Sequence, residues 1–71
     1  MYRYKSKVGT FTIRTTTNGY GLFFNGDLLG VYHSPVAAAD EVFTHTTGED
    51  SWDELDGNVN PPTDLSEWES I

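Results

Sequence analysis

Hydrophobic and polar residues alternate in the first half of the chain as they do in half-buried β-strands. In Val8–Arg14, Phe11 and Ile13 point to one side, and the other side is formed by Thr10, Thr12 and Arg14. Two further segments, each preceded by an Asn-Gly turn signal, have the aromatic and aliphatic content of strands: Tyr20–Phe24 and Asp27–His33. The pattern predicts a three-stranded antiparallel β-meander, whose first strand is extended backward past a bend by the residues before Val8.

A helix is predicted directly after the third strand. Ser34 supplies an N-cap oxygen, and Pro35 suits the first helical position because its missing N–H is not needed there. The helix is expected to run from Pro35 to Thr46, with Gly48 closing it in the left-handed conformation. At helical spacing one side is apolar, and Phe43 is expected to be its main anchor in the core.

The character of the sequence changes after Gly48. Residues 49–71 hold eight of the eleven acidic residues and both tryptophans of the chain. The spacing of Ser51–Glu54 and of Asp64–Glu67 matches capping boxes, which predicts two short helical turns. We therefore expect an α+β fold in one domain: a three-stranded antiparallel β-meander packed against one α-helix (residues 1–48), with a short, partly helical, tryptophan-containing tail folded back on it.

Both faces of the predicted sheet carry apolar residues. Tyr20 and Phe24 point one way along the second strand, and Phe23 points the other way. A solvated face of an antiparallel sheet is normally polar, so the second face is expected to be covered by the tail or by a partner. Trp52 and Trp68 favour the tail, because tryptophan buries a large area at low entropy cost.

Composition places the chain among small globular domains. It has 71 residues, of which 37% are hydrophobic and 14% aromatic, and no cysteine. This aromatic content is too high for a disordered segment, and the absence of cysteine excludes disulfide bonds, thiolate zinc sites and cysteine nucleophiles. No apolar run is long enough for a signal peptide or a membrane span. We expect a cytoplasmic protein without a membrane partner.

Charge is distributed unevenly along the chain, which has a formal net charge of −7. All four basic residues lie within residues 1–14, and the acidic residues are concentrated in residues 49–71. Two interpretations remain open: the tail is a solvated acidic segment, or it lies near the basic strand and partly neutralises it.

Few residues are candidates for chemistry. His45 and Glu41 form an (i, i+4) pair on the predicted outer face of the helix, where no pocket is expected, and His33 ends a strand. The acidic stretch before Gly57 lacks the first and twelfth ligands of an EF-hand loop. The sequence thus predicts a protein that is not an enzyme and has no cofactor and no metal site.

Two segments carry a resemblance to a known family. Gly9–Arg14 ends in Ile-Arg, and Leu29–Ala39 contains a Leu-Gly-x-Tyr-x-Ser run followed by three consecutive alanines. Over residues 9–45 the chain resembles the three-strand-plus-helix domain of ethylene-response-factor-type and phage-integrase-type DNA-binding proteins. It is also similar in layout to small uncharacterised bacterial proteins with a tryptophan-rich ending.

The resemblance implies this fold and, in the family, DNA binding by the sheet face that the helix leaves open. Arg14 matches a family strand position, whereas Leu22, Phe23 and Leu28 stand where the family has a tryptophan and further arginines. Four basic residues against eleven acidic ones are a poor footprint for neutralising phosphates. Nucleic acid is therefore not the expected partner.

These observations favour a monomeric interaction module that binds an unknown protein, for example one with a basic surface that complements the tail. Lysines on the first strand disfavour pairing of that edge with a second copy. The alternative is a DNA-binding sheet that the acidic tail masks. The residues expected to take part in interaction are Arg14, Tyr20, Phe23, Trp52 and Trp68.

Overall fold

The computed structural model describes residues 1–71 and combines one antiparallel sheet with one main helix, which confirms the α+β class. The sheet has five strands, in the order β4-β3-β2-β1-β5. The elements are β1 (Tyr2–Lys5), β2 (Thr10–Thr16), β3 (Gly19–Phe24), β4 (Asp27–Tyr32), α1 (Pro35–Phe43), α2 (Asp50–Asp53), a turn of 3-10 helix (Leu65–Glu67) and β5 (Glu69–Ser70).

The predicted meander is present as β2, β3 and β4, within a sheet that has more strands than predicted. Asn25 and Gly26 join β3 to β4 with φ values of 50° and 93°, and both are positive as a type I′ hairpin turn requires. The pairing of β3 with β4 contains a register shift between Leu22 and Phe23. These pairings place Leu22 and Phe23 on opposite faces of the sheet.

The sequence had predicted that the residues before Val8 extend the first strand backward past a bend. In the structure they form a separate strand, β1, which pairs antiparallel with β2. The Ser6 N–H donates to the Gly9 carbonyl at 2.8 Å, and the Ser6 hydroxyl donates to the same carbonyl at 2.6 Å. A Cβ on Gly9 would lie 2.4 Å from the Phe24 ring, so the turn requires glycine there. Because this turn reverses the chain, β1 pairs with β2 and places Tyr4 opposite Phe11.

Helix α1 begins as predicted and ends early. The Ser34 hydroxyl accepts a hydrogen bond from the Ala37 N–H at 3.1 Å, which caps the first turn. The helix stops at Phe43 instead of Thr46. His45, with φ of 56°, adopts the left-handed conformation that was predicted for Gly48 as the helix terminator.

The backbone around His45 forms a Schellman closure. The His45 N–H donates to the Val42 carbonyl at 3.3 Å, and the next N–H donates to the Glu41 carbonyl at 3.0 Å. His45 is 7% exposed, and its ring stacks on Trp52 with centroids 4.6 Å apart. The prediction of an exposed His45–Glu41 pair is therefore wrong, because the chain turns here and carries the imidazole into the core.

The side of α1 that faces the sheet is formed by Ala38, Ala39 and Val42, which are all buried. Phe43, the predicted anchor, is 41% exposed. The small alanine side chains allow the helix axis to approach the sheet closely. Because the alanines face the sheet, the helix is rotated so that Phe43 and Val36 point outward. Val42 is the largest buried side chain of the helix.

The tail packs on the same face of the sheet as α1, which we call the core face. Trp52 contacts Tyr4 and Phe11, with ring centroids 6.1 Å and 5.4 Å apart, and Trp68 lies 5.6 Å from Tyr4. The expectation that the tail covers the second face is therefore wrong. Helix α1, with nine residues, is about 13 Å long and covers only part of a five-stranded sheet, and the tryptophans cover more of the same face.

Local hydrogen bonds hold the tail in place. The Asp53 carboxylate accepts from the Thr47 N–H at 3.1 Å, the Thr47 hydroxyl at 2.9 Å and the Gly48 N–H at 2.9 Å. The Asp64 carboxylate accepts from the Ser66 N–H at 2.8 Å and from the Ser66 hydroxyl, and these bonds lower the pKa of Asp64. Both predicted helical turns are present and position the two tryptophans, and Asp64 caps the second turn as predicted. The predicted cap of the first turn is wrong, because α2 begins at Asp50 and its N-cap is Glu49, so Ser51 lies inside the helix.

Candidate interaction surface

The face of the sheet opposite α1 is not covered by any other part of the chain. We call it the open face. The strand register places one row of directly opposed residues on this face, across all five strands. The row consists of Glu69, Arg3, Thr12, Phe23 and Leu28, which are all exposed or half-buried. The side chains of the open face are Arg3, Lys5, Thr10, Thr12, Arg14, Thr16, Phe23, Leu28, Val31 and Glu69.

An apolar patch occupies the β3–β4 half of the open face. Leu28 is 55% exposed and Val31 is 42% exposed, and Phe23 is half-buried between β2 and β4. Gly21 makes the patch possible, because a Cβ there would lie 2.8 Å from the Phe23 ring and 3.2 Å from Leu28 Cδ1. The absence of that Cβ lets Phe23 and Leu28 lean together over the strand.

Arg14 connects this patch to the basic half of the face. Its guanidinium carbon lies 4.0 Å from the centroid of the Phe23 ring, a cation–π arrangement that orients the side chain along the sheet. Arg14 itself is exposed, so the guanidinium keeps its hydrogen-bond donors available. Arginine is one of the residue types enriched among those that dominate the binding energy of protein interfaces.

The open face carries most of the positive charge of the protein. Arg3, Lys5 and Arg14 lie on it, and Glu69 is its one acidic residue. Asp40 and Glu41 lie on α1, across the sheet, and most of the acidic tail packs on that side as well. The molecule therefore has a basic sheet face and an acidic helical side, although its net charge is −7.

The tail reaches the open face at a single ion pair. Arg3 Nη2 donates to Glu69 Oε2 at 3.0 Å, because β5 pairs with β1 and places the two residues directly opposite. The hydrogen bond from Arg3 lowers the pKa of Glu69, and the charge of Lys5 lowers it further. The same bond raises the pKa of Arg3.

We expect the Glu69 carboxyl to titrate below the usual glutamate range, which carboxyl-detected NMR measures directly. A lowered pKa in the folded state means that the pair stabilises the fold above the ordinary glutamate pKa, and that this contribution disappears as pH falls through the lowered value. Arg3→Gln should return the pKa of Glu69 toward its ordinary value, and Lys5→Gln should change it less. Identical titration of Glu69 in wild type and Arg3→Gln would mean that the pair does not form in solution.

The structure separates the five residues that the sequence singled out for interaction. Arg14 and Phe23 lie together on the open face. Tyr20 lies on the core face, opposite Tyr32 of β4, and is partly buried against the core. Trp52 and Trp68 are 1% and 6% exposed, and they form part of the core. Leu28 and Val31 also lie on the open face, although the sequence did not indicate them as interaction residues. They were missed because the register shift between β3 and β4 interrupts the alternation of β4.

A small groove lies on the opposite side of the molecule, between α1 and the 3-10 turn. We call it the helix-side groove. Its volume is about 80 Å³, and three of its six lining residues are hydrophobic and two are acidic. The lining residues are Val36, Ala39, Asp40, Thr63, Asp64 and Leu65.

Comparison with models of protein families, with curated proteins and with solved structures finds no match to this chain. No helix has the length and apolar character needed to cross a membrane. The function is therefore inferred from the residues of the open face and of the helix-side groove.

Proposed function

We propose that the protein is a small non-catalytic module that binds another protein through the open face of its sheet. The observation that carries this proposal is an exposed apolar patch on a face that the chain leaves uncovered, beside the basic residues Arg3, Lys5 and Arg14, which we call the basic strip. A solvated face of an antiparallel sheet normally alternates to polar residues. Arginine and aromatic side chains are also enriched where proteins bind each other.

The positions of the histidines support a non-catalytic role. His45 Nδ1–H donates to the Trp52 carbonyl at 2.9 Å, inside the core. His33 is exposed just beyond β4, and neither histidine lines the helix-side groove. A general base must reach its substrate within a cleft, so these imidazoles are poorly placed for catalysis.

The charge of the open face favours a partner that is acidic and partly apolar, in contrast to the basic partner that the tail suggested from sequence. Lys5 and Arg14 have no acidic partner on the open face, whereas Arg3 is bound to Glu69. Glu69 illustrates how a carboxylate meets this surface. A partner segment with carboxylates beside apolar side chains would complement both halves of the face.

Duplex DNA is a second candidate, favoured by the placement of Arg3, Lys5 and Arg14 together on one open sheet face. Threonine hydroxyls between them add donors suited to phosphate oxygens. At most three phosphates would be neutralised by these residues, so binding would be weak and would fall with salt with a log–log slope of about −2.7.

The proposal is tested by affinity capture with three versions of the full chain: wild type, Leu28→Glu on the open face, and Ser51→Glu on the exposed side of α2. Both variants add one negative charge at an exposed position, and only Leu28→Glu places it on the open face and removes an apolar side chain there. We expect a partner that wild type and Ser51→Glu retain and Leu28→Glu loses. With the purified partner, Leu28→Glu should raise Kd about tenfold or more, since changes at an interface centre cost above about 1.4 kcal/mol.

Capture of the same partners by Leu28→Glu and wild type would place the binding surface elsewhere and overturn the proposal.

Amide-resolved NMR with random-sequence duplex DNA at low salt tests the second candidate, duplex DNA. Shifts confined to open-face residues and abolished by Arg14→Gln would favour DNA, and unchanged spectra would exclude it.

A further inference from the structure

The exposed large hydrophobic side chains fall on two opposite sides of the molecule. Two of the six are at the chain termini, and the other four form two pairs. Leu28 and Val31 lie on the open face, and Val36 and Phe43, which are 66% and 41% exposed, lie on α1. Because α1 packs on the core face, the two pairs point away from each other.

We infer that the open face binds the α1 side of a second copy of this chain, so that copies associate head to tail. The inference rests on the proposed function, because it uses the same open face, and it adds the identity of the partner. The partner chemistry expected for the open face was an acidic segment with exposed apolar residues, and α1 is such a segment.

Three residues of α1 form the surface that would dock. Val36, Asp40 and Phe43 are spaced by four and three positions, so they lie on one flank of the helix. All three are exposed. This flank borders the helix-side groove, whose lining includes a second acidic residue, Asp64. The flank therefore combines apolar contacts with two negative charges.

The two surfaces are complementary in both respects. The groove is lined by apolar side chains together with Asp40 and Asp64, which suits an apolar side chain that stands beside a base. Leu28 is such a side chain on the open face, because Phe23 connects it to the guanidinium of Arg14. Docking would bring Arg14 toward Asp40 and Asp64 of the next copy and would remove both apolar pairs from water.

The molecule is large enough for such a contact. A standard interface needs about 800 Å² from each partner, which is about one fifth of the 4222 Å² surface of this chain. The contact joins faces of the two copies and not strand edges, which in this sheet are β4 and β5; the first strand is not the edge that the sequence had predicted. Because the two surfaces are different, the contact is not closed by a two-fold axis, and it produces rings or open chains.

The test uses sedimentation velocity on the full chain with one variant for each surface. Leu28→Glu places a carboxylate on the open face, and Val36→Lys places an ammonium on the α1 flank; both positions are more than half exposed. Circular dichroism verifies that each variant is folded. We expect wild type to form species beyond the dimer as concentration rises, and each variant alone to remain monomeric.

The decisive sample is an equal mixture of the two variants. Leu28→Glu keeps a native α1 flank and Val36→Lys keeps a native open face, so the mixture should form a 1:1 heterodimer and stop there. A wild type that stays monomeric at all concentrations would overturn the inference and leave the proposed function intact, since the open face would then bind a different protein. Assembly of either variant alone to the extent of wild type would also overturn it, because a different surface would be responsible.

Discussion

Replacing Trp52 with alanine should lower the free energy of unfolding by about 3–5 kcal/mol, as removal of a buried tryptophan commonly does. A domain of this length has a total stability of about 4–10 kcal/mol, so most of it would be lost. Trp52 is 1% exposed and contacts Tyr4, Phe11 and His45, so the cavity would open between the sheet and the tail. Urea unfolding followed by far-UV circular dichroism measures the change.

Two further variants separate the causes of this loss. Trp52→Phe keeps an aromatic ring but removes the Nε1–H that donates to the Val42 carbonyl at 2.9 Å. That carbonyl keeps its bond from the His45 N–H at 3.3 Å, so the lost hydrogen bond should cost about 0.5–1.5 kcal/mol. Leu28→Ala, on the open face, should change stability by about 0.5 kcal/mol or less. If the midpoint of Trp52→Ala coincided with that of Leu28→Ala, Trp52 would not be a core residue in solution.

Local signals in the sequence were sufficient for the meander and for the start of the helix. The Asn25-Gly26 turn and the Ser34-Pro35 cap act through hydrogen bonds and φ preferences within a few residues, so short-range reasoning finds them. The extra strand β1 was missed, although Ser6 and Gly9 are turn residues at the spacing that their hydrogen bonds use. The reversal at Ser6 is thus a local feature that the sequence contains.

Long-range packing decided what the sequence did not predict. Helical periodicity alone cannot set the rotation of α1, because that rotation depends on how closely Ala38 and Ala39 approach the sheet. Nor does it reveal that His45 leaves the helix to stack on Trp52, seven residues along the chain. Alternation in β3 correctly placed Phe23 on the second face, but the face that the tail covers depends on the width of the whole sheet.

Deleting residues 49–71 should leave a chain that does not unfold cooperatively. The deletion removes Trp52 and Trp68 from a core of nine buried hydrophobic residues, together with half-buried leucines that pack against it. A 48-residue remnant is close to the size at which a single core is no longer sufficient. Thermal denaturation followed by circular dichroism should show a broad change without a transition, in contrast to the full chain.

A chain that ends at residue 68 is the matched control, and it also tests masking of the basic strip. It loses β5 and the Arg3–Glu69 pair and keeps both tryptophans, so we expect it to remain folded with a cooperative transition.

Masking of the basic strip by the tail depends on Glu69, the one acidic side chain on the open face, and not on the whole acidic segment. If duplex DNA binds this face at all, the shorter chain should bind it more tightly than the full chain does. Equal affinity would exclude masking, and a cooperative transition in the chain of residues 1–48 would contradict the role of the tail in the core.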